Sequence, residues 1–199
     1  MACSAIRISV IAVCLTLVGS FALAAGWQER VSPRDADKMR RLDSAWSAAL
    51  ADARVEHRGE LAALGALVRP KAALADPIPA PGLYRCRTVK LGDPGGLGLS
   101  FVAYDWFRCR IERSPRGELT LAKITGSQRS FGVLYPDGAR RLVFVGAESW
   151  GSDETAIAYG AKPDRNRVGA LERIGPQRWR LALPWPEYES KLDLIELTR

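Results

Sequence analysis

Gly82-Leu83-Tyr84-Arg85-Cys86-Arg87-Thr88-Val89-Lys90-Leu91-Gly92 is followed, after a glycine-rich break, by Ser100-Phe101-Val102-Ala103-Tyr104-Asp105-Trp106-Phe107-Arg108-Cys109-Arg110-Ile111. These two arms open the part of the chain where helix patterns give way to strand patterns, and each centres on Arg-Cys-Arg. Successive side chains of a strand point to opposite faces. Cys109 therefore shares a face with Phe107 and Ile111, and Cys86 with Tyr84 and Thr88. Arg85, Arg87, Arg108 and Arg110 point the other way. If the arms are neighbours, the cysteines meet on the core side and four arginines crowd the opposite face.

The other two cysteines, Cys3 and Cys14, fall in a segment that reads as a secretory signal, residues 1–24. Arg7 supplies its positive start, Ile8 to Val18 its apolar run, and Ala22-Leu23-Ala24 the small residues before cleavage. An uncleaved anchor is the alternative, but the run is short for a spanning helix. A lone pair, Cys86 and Cys109, then remains in an oxidising compartment, which predicts a disulfide contributing about 3 kcal/mol. The competing reading is a metal or redox pair. It is disfavoured because the spacing fits no zinc pattern, no Cys-x-x-Cys occurs, and His57 is the single histidine. No metal and no cofactor are expected.

Cleavage leaves about 175 of the 199 residues, enough for one well-buried domain with an appendage. The formal net charge of the full chain is +7. Residues 1–24 contribute only Arg7, so about +6 remains. A basic protein of the periplasm, the predicted location, is drawn to anionic lipid, acidic glycan or an envelope protein. Nucleic acid is the wrong partner for that compartment, and no second apolar run is long enough to span a bilayer.

Between the signal and the arms, residues 25–69 read as helical. Ser32-Pro33-Arg34-Asp35 is a helix start, with Ser32 as cap, Pro33 in the first turn and Asp35 completing a capping box. Met39, Leu42, Trp46, Leu50 and Ala53 then recur at steps of three and four, forming one apolar stripe. Gly59 is the expected break before a shorter helix carrying Leu61, Leu64, Leu67 and Val68. The stripe is expected to pack against the strand region or helix on helix, with a partner-binding or membrane-surface role as the alternative. Residues 70–81 hold Pro70, Pro77, Pro79 and Pro81 and read as an extended linker.

From 82 to 199 short patterned runs alternate with turn signals. Pro136-Asp137-Gly138 is the clearest hairpin turn, and a short strand is expected around Thr155–Tyr159. The runs total eight or nine hairpin-linked strands, and a meander of that length tends to close because closure removes unpaired edges. The fold class is therefore α+β: an N-terminal helix or helix pair followed by an antiparallel meander barrel, or strongly curved sheet, of about eight strands. A two-sheet sandwich is the alternative.

The blocks Tyr84-Arg85-Cys86-Arg87, Lys123 to Arg129, Arg167-Val168-Gly169, Arg178-Trp179-Arg180 and Pro184-Trp185-Pro186 resemble the domain-of-unknown-function family 4893. The resemblance runs from about Trp27 to the end. It implies a secreted bacterial envelope protein and supplies no catalytic or binding residue.

Signatures of catalysis are missing. There is no Gly-x-Ser-x-Gly elbow, and His57 lies far in sequence from Ser127 and Ser130, which read as turn or strand residues. Gly95, Gly96 and Gly98 sit between strands rather than before a helix, so they read as a loop and not a phosphate cradle. Glu148, Asp153 and Glu154 are placed in an irregular segment, where acids serve acid–base chemistry, calcium binding or simple solvation. The arginines are the stronger lead. Like charges on adjacent strands are destabilising unless relieved, with Glu112 and Glu118 as candidate relievers, and arginine forks grip anions. Arg85, Arg87, Arg108 and Arg110 are thus the candidate anion-binding patch, and no catalytic residue is nominated. The expected function is a non-catalytic binding module for an anionic or amphipathic small molecule, lipid or glycan of the envelope. The alternative is a protein-interaction or inhibitor protein that captures an envelope enzyme, and a carboxylate-dependent hydrolase ranks last.

Overall fold

The computed structural model describes residues 26–95, 99–151 and 153–199. The signal expected over 1–24 and the loop glycines Gly96 and Gly98 lie outside the described residues.

Ser32 caps helix α1, Pro33–Arg40, accepting a hydrogen bond from the Asp35 backbone N–H as its sequence predicts. Helix α2, Leu42–Glu56, follows after Arg41, and α3, Arg58–Leu64, runs into a 3-10 turn over Gly65–Val68. The break between α2 and α3 falls at His57, two residues before Gly59. The stripe Met39, Leu42, Trp46, Leu50 and Ala53 is buried, as are Leu61, Leu64, Leu67 and Val68.

Nine strands follow: β1 Gly82–Leu91, β2 Phe101–Ala103, β3 Phe107–Arg113, β4 Leu119–Lys123, β5 Gln128–Pro136, β6 Leu142–Trp150, β7 Asn166–Gly175, β8 Arg178–Pro184 and β9 Leu192–Thr198. No strand forms around Thr155–Tyr159, because Tyr159 is drawn instead to the helices, donating from its hydroxyl to Asp35 Oδ2 at 2.5 Å. Every pairing is antiparallel, each strand from β3 onward meets the next, and β9 returns to β1 over Arg85–Leu91. The result is a closed eight-stranded barrel. Strand β2 stands outside the circuit, paired with Val89–Leu91 on the edge of β1 that β3 occupies at Gly82–Cys86.

Alternation along the strands divides the protein into two cores. Outward residues Val89, Leu91, Val143, Val145, Val168, Ala170, Ala182, Leu192 and Leu194 pack against the helices. Inward residues, among them Tyr84, Ile111, Leu121, Leu134, Phe144, Leu171, Trp179, Leu181 and Leu197, fill one half of the barrel. The disulfide between Cys86 and Cys109 lies in that inner core, Cα to Cα 5.8 Å. Side chains suffice to fill an eight-stranded interior.

The helices are tied down by Arg180, whose side chain is fully buried on the outward face of β8. It donates to the carbonyls of Leu67, Arg69 and Pro70 and to Glu172, with its guanidinium 4.6 Å above the Trp46 ring. The proline-rich segment lies along the barrel: Trp179 Nε1 donates to Pro77 O, Tyr84 Oη to Ala80 O, and Leu74 bridges to Arg173. Among the described residues no helix is long and apolar enough to cross a membrane.

Candidate functional site

The helices and the turn after α3 pack on β1 and on β7 to β9, and a 3-10 turn over Trp27–Arg30 packs on β6. The wall built by the first half of β1 with β3, β4 and β5 keeps Leu83, Arg85, Arg108, Arg110 and Phe131 exposed. Arg85 and Arg108 are cross-strand partners, as are Leu83 and Arg110. The sequence-predicted arginines thus share one face, and they are held differently. Arg87 Nε donates to Glu196 Oε2 at 2.7 Å, and Arg110 lies 3.5 Å from Glu112. Arg85 and Arg108 have no carboxylate within ion-pair distance among the described residues. Trp106 extends the patch: the guanidinium groups of Arg85 and Arg87 lie 4.6 and 4.8 Å from its ring centroid. Glu118, one of the expected relieving acids, stands at the β3–β4 turn, where its backbone N–H donates to Ser114 Oγ. Stacking on indole orients a guanidinium while leaving its donor edge free for an anion.

A second feature escaped sequence reasoning. The inward parity that carries Tyr84 and Cys86 continues to Thr88 and Lys90. That of Leu119 and Leu121 continues to Lys123, that of Leu142 and Phe144 to Glu148, and that of Leu171 to Arg167. Asp193 faces inward opposite Leu183 and Lys90. One half of the barrel interior is therefore apolar and the other charged, and Lys90, Lys123, Ser130, Glu148, Arg167 and Asp193 are all buried.

Contacts knit this charged end. Lys90 pairs with Glu189 and donates to Gln128 Oε1 at 3.2 Å, Lys123 donates to Gln128 O at 2.8 Å, and Arg167 Nη2 donates to Glu148 Oε1 at 3.1 Å. Ser190 Oγ donates to Asp193 Oδ1 at 2.5 Å. Burial pushes the Asp193 carboxyl up to about 6, although the Lys90 ammonium and the Ser190 hydroxyl oppose it. Burial likewise pulls the Lys123 ammonium down to about 8, only partly countered by Glu148. At Lys90 burial works downward, but Asp193 and Glu189 outweigh it and hold that ammonium above its ordinary value.

The three acids of the expected irregular segment do not gather. Glu148 lies on β6 inside the barrel, accepting from Trp150 Nε1 and Arg167, because that strand runs on to Trp150 through part of the segment expected to be irregular. Glu154 is taken by Lys162, Arg165 and the Trp150 backbone N–H; the Lys162 hydrogen bond leads in holding it down to about 2. Asp153 is exposed. Among the described residues no group of three His, Cys, Asp or Glu is arranged to hold a metal ion. His57 sits between α2 and α3, 3.2 Å from Glu60 and stacked on Phe101. Ser127 is exposed in a turn, and Ser130 is buried opposite Glu148. The described part of the glycine-rich loop is short: Gly95 donates its N–H to Asp93 Oδ1.

Among known families, the model described as a domain of unknown function, DUF4893, matches residues 27–197. No curated protein and no solved structure matches the chain.

Proposed function

The chain belongs to the DUF4893 family, and from that premise we propose that it is a non-catalytic binding module whose arginine wall docks on anionic phospholipid head groups of the bacterial envelope. The carrying observation is the pair Arg85 and Arg108, placed side by side on an exposed sheet with no carboxylate to neutralise either among the described residues. Like charges in opposed positions repel, so pairing the two guanidinium groups costs the fold stability. A phosphate layer neutralises both. The exposed Leu83, Trp106 and Phe131 interleave with the arginines and give the wall the mixed basic and apolar character of an interfacial surface. The net charge, +7 for the full chain and about +6 without residues 1–24, favours the same partner at longer range. Delivery to that surface is the role assigned to residues 1–24, read as a signal peptide, and the disulfide suits an oxidising compartment.

The test is co-sedimentation with vesicles containing phosphatidylglycerol, compared with vesicles of phosphatidylcholine alone. Each basic residue near such a surface contributes about 1 kcal/mol, so Arg85→Ala with Arg108→Ala is expected to weaken binding roughly tenfold to thirtyfold. Unchanged binding by the double variant, or equal binding to both vesicle types, overturns the proposal.

A further inference from the structure

The connection between β8 and β9 passes over the charged end of the barrel and is pinned on both sides. Glu187 binds Arg34 and Lys38 of α1, Lys191 binds Asp52 of α2, and Tyr188 packs edge-on against Trp150. Between these anchors Glu189 adopts a left-handed backbone at φ 72°, a conformation that non-glycine residues rarely take and that marks local strain. Its side chain is half exposed, at 52%, yet the carboxylate reaches in to Lys90, whose own side chain is only 6% exposed. Gln128 Nε2 stands 3.5 Å from the same oxygen. Beside this contact lies a groove of about 530 Å³. Lys90, Glu189 and Asp93 are its charged lining, while Pro94, Leu99, Val102 and Tyr104 supply apolar and aromatic walls. That volume falls in the range of small-molecule sites, and apolar walls with a few convergent polar groups are the usual make-up of one.

We infer that this groove binds a small amphipathic carboxylate, whose carboxylate replaces that of Glu189 on Lys90 and Gln128 and whose apolar part lies along Pro94, Leu99, Val102 and Tyr104. Glu189 is an internal stand-in for the ligand. It already places a carboxylate on the buried ammonium, and from an exposed position it can leave by side-chain rotation while Glu187 and Lys191 keep the connection in place. Asp193 still faces Lys90 across the β1–β9 pair, so the ammonium is not stranded during the exchange. An anion suits the site because the displaced group is one. An apolar tail suits it because Leu99 and Tyr104 are exposed at 69% and 41% beside a charged residue. The site is separate from the arginine wall and does not depend on it.

Octanoate is the probe, titrated into the purified protein by calorimetry with octan-1-ol as the uncharged control. Removing the internal competitor makes Glu189→Gln bind octanoate about tenfold tighter than the unmodified protein. Leu99→Ser, an exposed change that leaves the barrel intact, weakens binding severalfold, and octan-1-ol does not compete. Arg85→Ala with Arg108→Ala leaves octanoate affinity unchanged, which separates this site from the lipid-binding wall. The inference is overturned if Glu189→Gln gains no affinity, if Leu99→Ser binds as the unmodified protein does, or if the double arginine variant loses octanoate binding.

Discussion

Arg85 on β1 and Arg108 on β3 are cross-strand partners with both side chains exposed on the outside of the barrel. Their proximity is a cost that the fold carries. Opposed like charges destabilise a sheet by a fraction of a kcal/mol relative to neutral pairs. Arg108→Thr is therefore expected to raise stability by about 0.2–1 kcal/mol in urea denaturation, with lowered affinity for anionic vesicles. A loss of stability would show that the pair supports the fold.

Arg180 is the opposite case. It ties the 3-10 turn after α3 to the barrel: its donors satisfy the carbonyls of Leu67, Arg69 and Pro70 while neutralising Glu172. Arg180→Met keeps the length but leaves Glu172 unpaired and the carbonyls unbonded. The expected loss is about 3–5 kcal/mol of unfolding free energy. Arg180→Lys recovers little of it, because a compact ammonium cannot span the fork that the guanidinium fills. Near-normal stability of either variant would contradict the assigned role.

The charged interior predicts a pH signature. Asp193 titrates near 3.8 when unfolded and at about 6 in the fold. Between those values the folded state holds the proton and the unfolded state releases it, so stability falls as pH rises through this window. Asp193→Asn removes the effect. Its stability relative to the unmodified protein should improve by about 2–3 kcal/mol from pH 4 to pH 6, measured by denaturant titration at each pH. Parallel stability curves for the two proteins would refute it.

The Cys86–Cys109 bridge spans a sequence separation of 23 residues inside the apolar half of the barrel. Cross-linking a loop of that size restricts the unfolded chain and contributes about 3 kcal/mol. Cys86→Ala with Cys109→Ala is expected to lose about that much plus a small cavity cost. A drop below about 1 kcal/mol would mean that the unfolded chain already keeps the two arms together.

The barrel was legible because its signals are local. The Arg-Cys-Arg arms alternate cleanly, Pro136-Asp137-Gly138 marks a turn, and Ser32 with Asp35 announces a helix. The positions of the four arginines on one face followed from parity alone. Arg87 turning to Glu196 did not, since β1 and β9 are separated by most of the chain and meet only on closure. The charged half of the interior was missed for a related reason. Lys90 sits between Val89 and Leu91, and in a one-sided sheet that pattern reads as apolar in and lysine out. In this barrel the outward face of the second half of β1 is covered by helices, so Val89 and Leu91 point out and the lysine points in. The available signal was the unbroken parity of Tyr84, Cys86, Thr88 and Lys90. Glu148 was misplaced for want of the true length of β6, which only its pairing with β5 through Gln128 and Trp150 defines.

The arginine wall is tested most directly by NMR of the labelled protein on phosphatidylglycerol nanodiscs, recording which amide signals broaden. Selective broadening is expected at Leu83, Arg85, Trp106, Arg108, Arg110 and Phe131, absent on phosphatidylcholine discs. Broadening centred instead on the helical face around Arg54 and Arg58, with the β1–β3 wall unaffected, would contradict it.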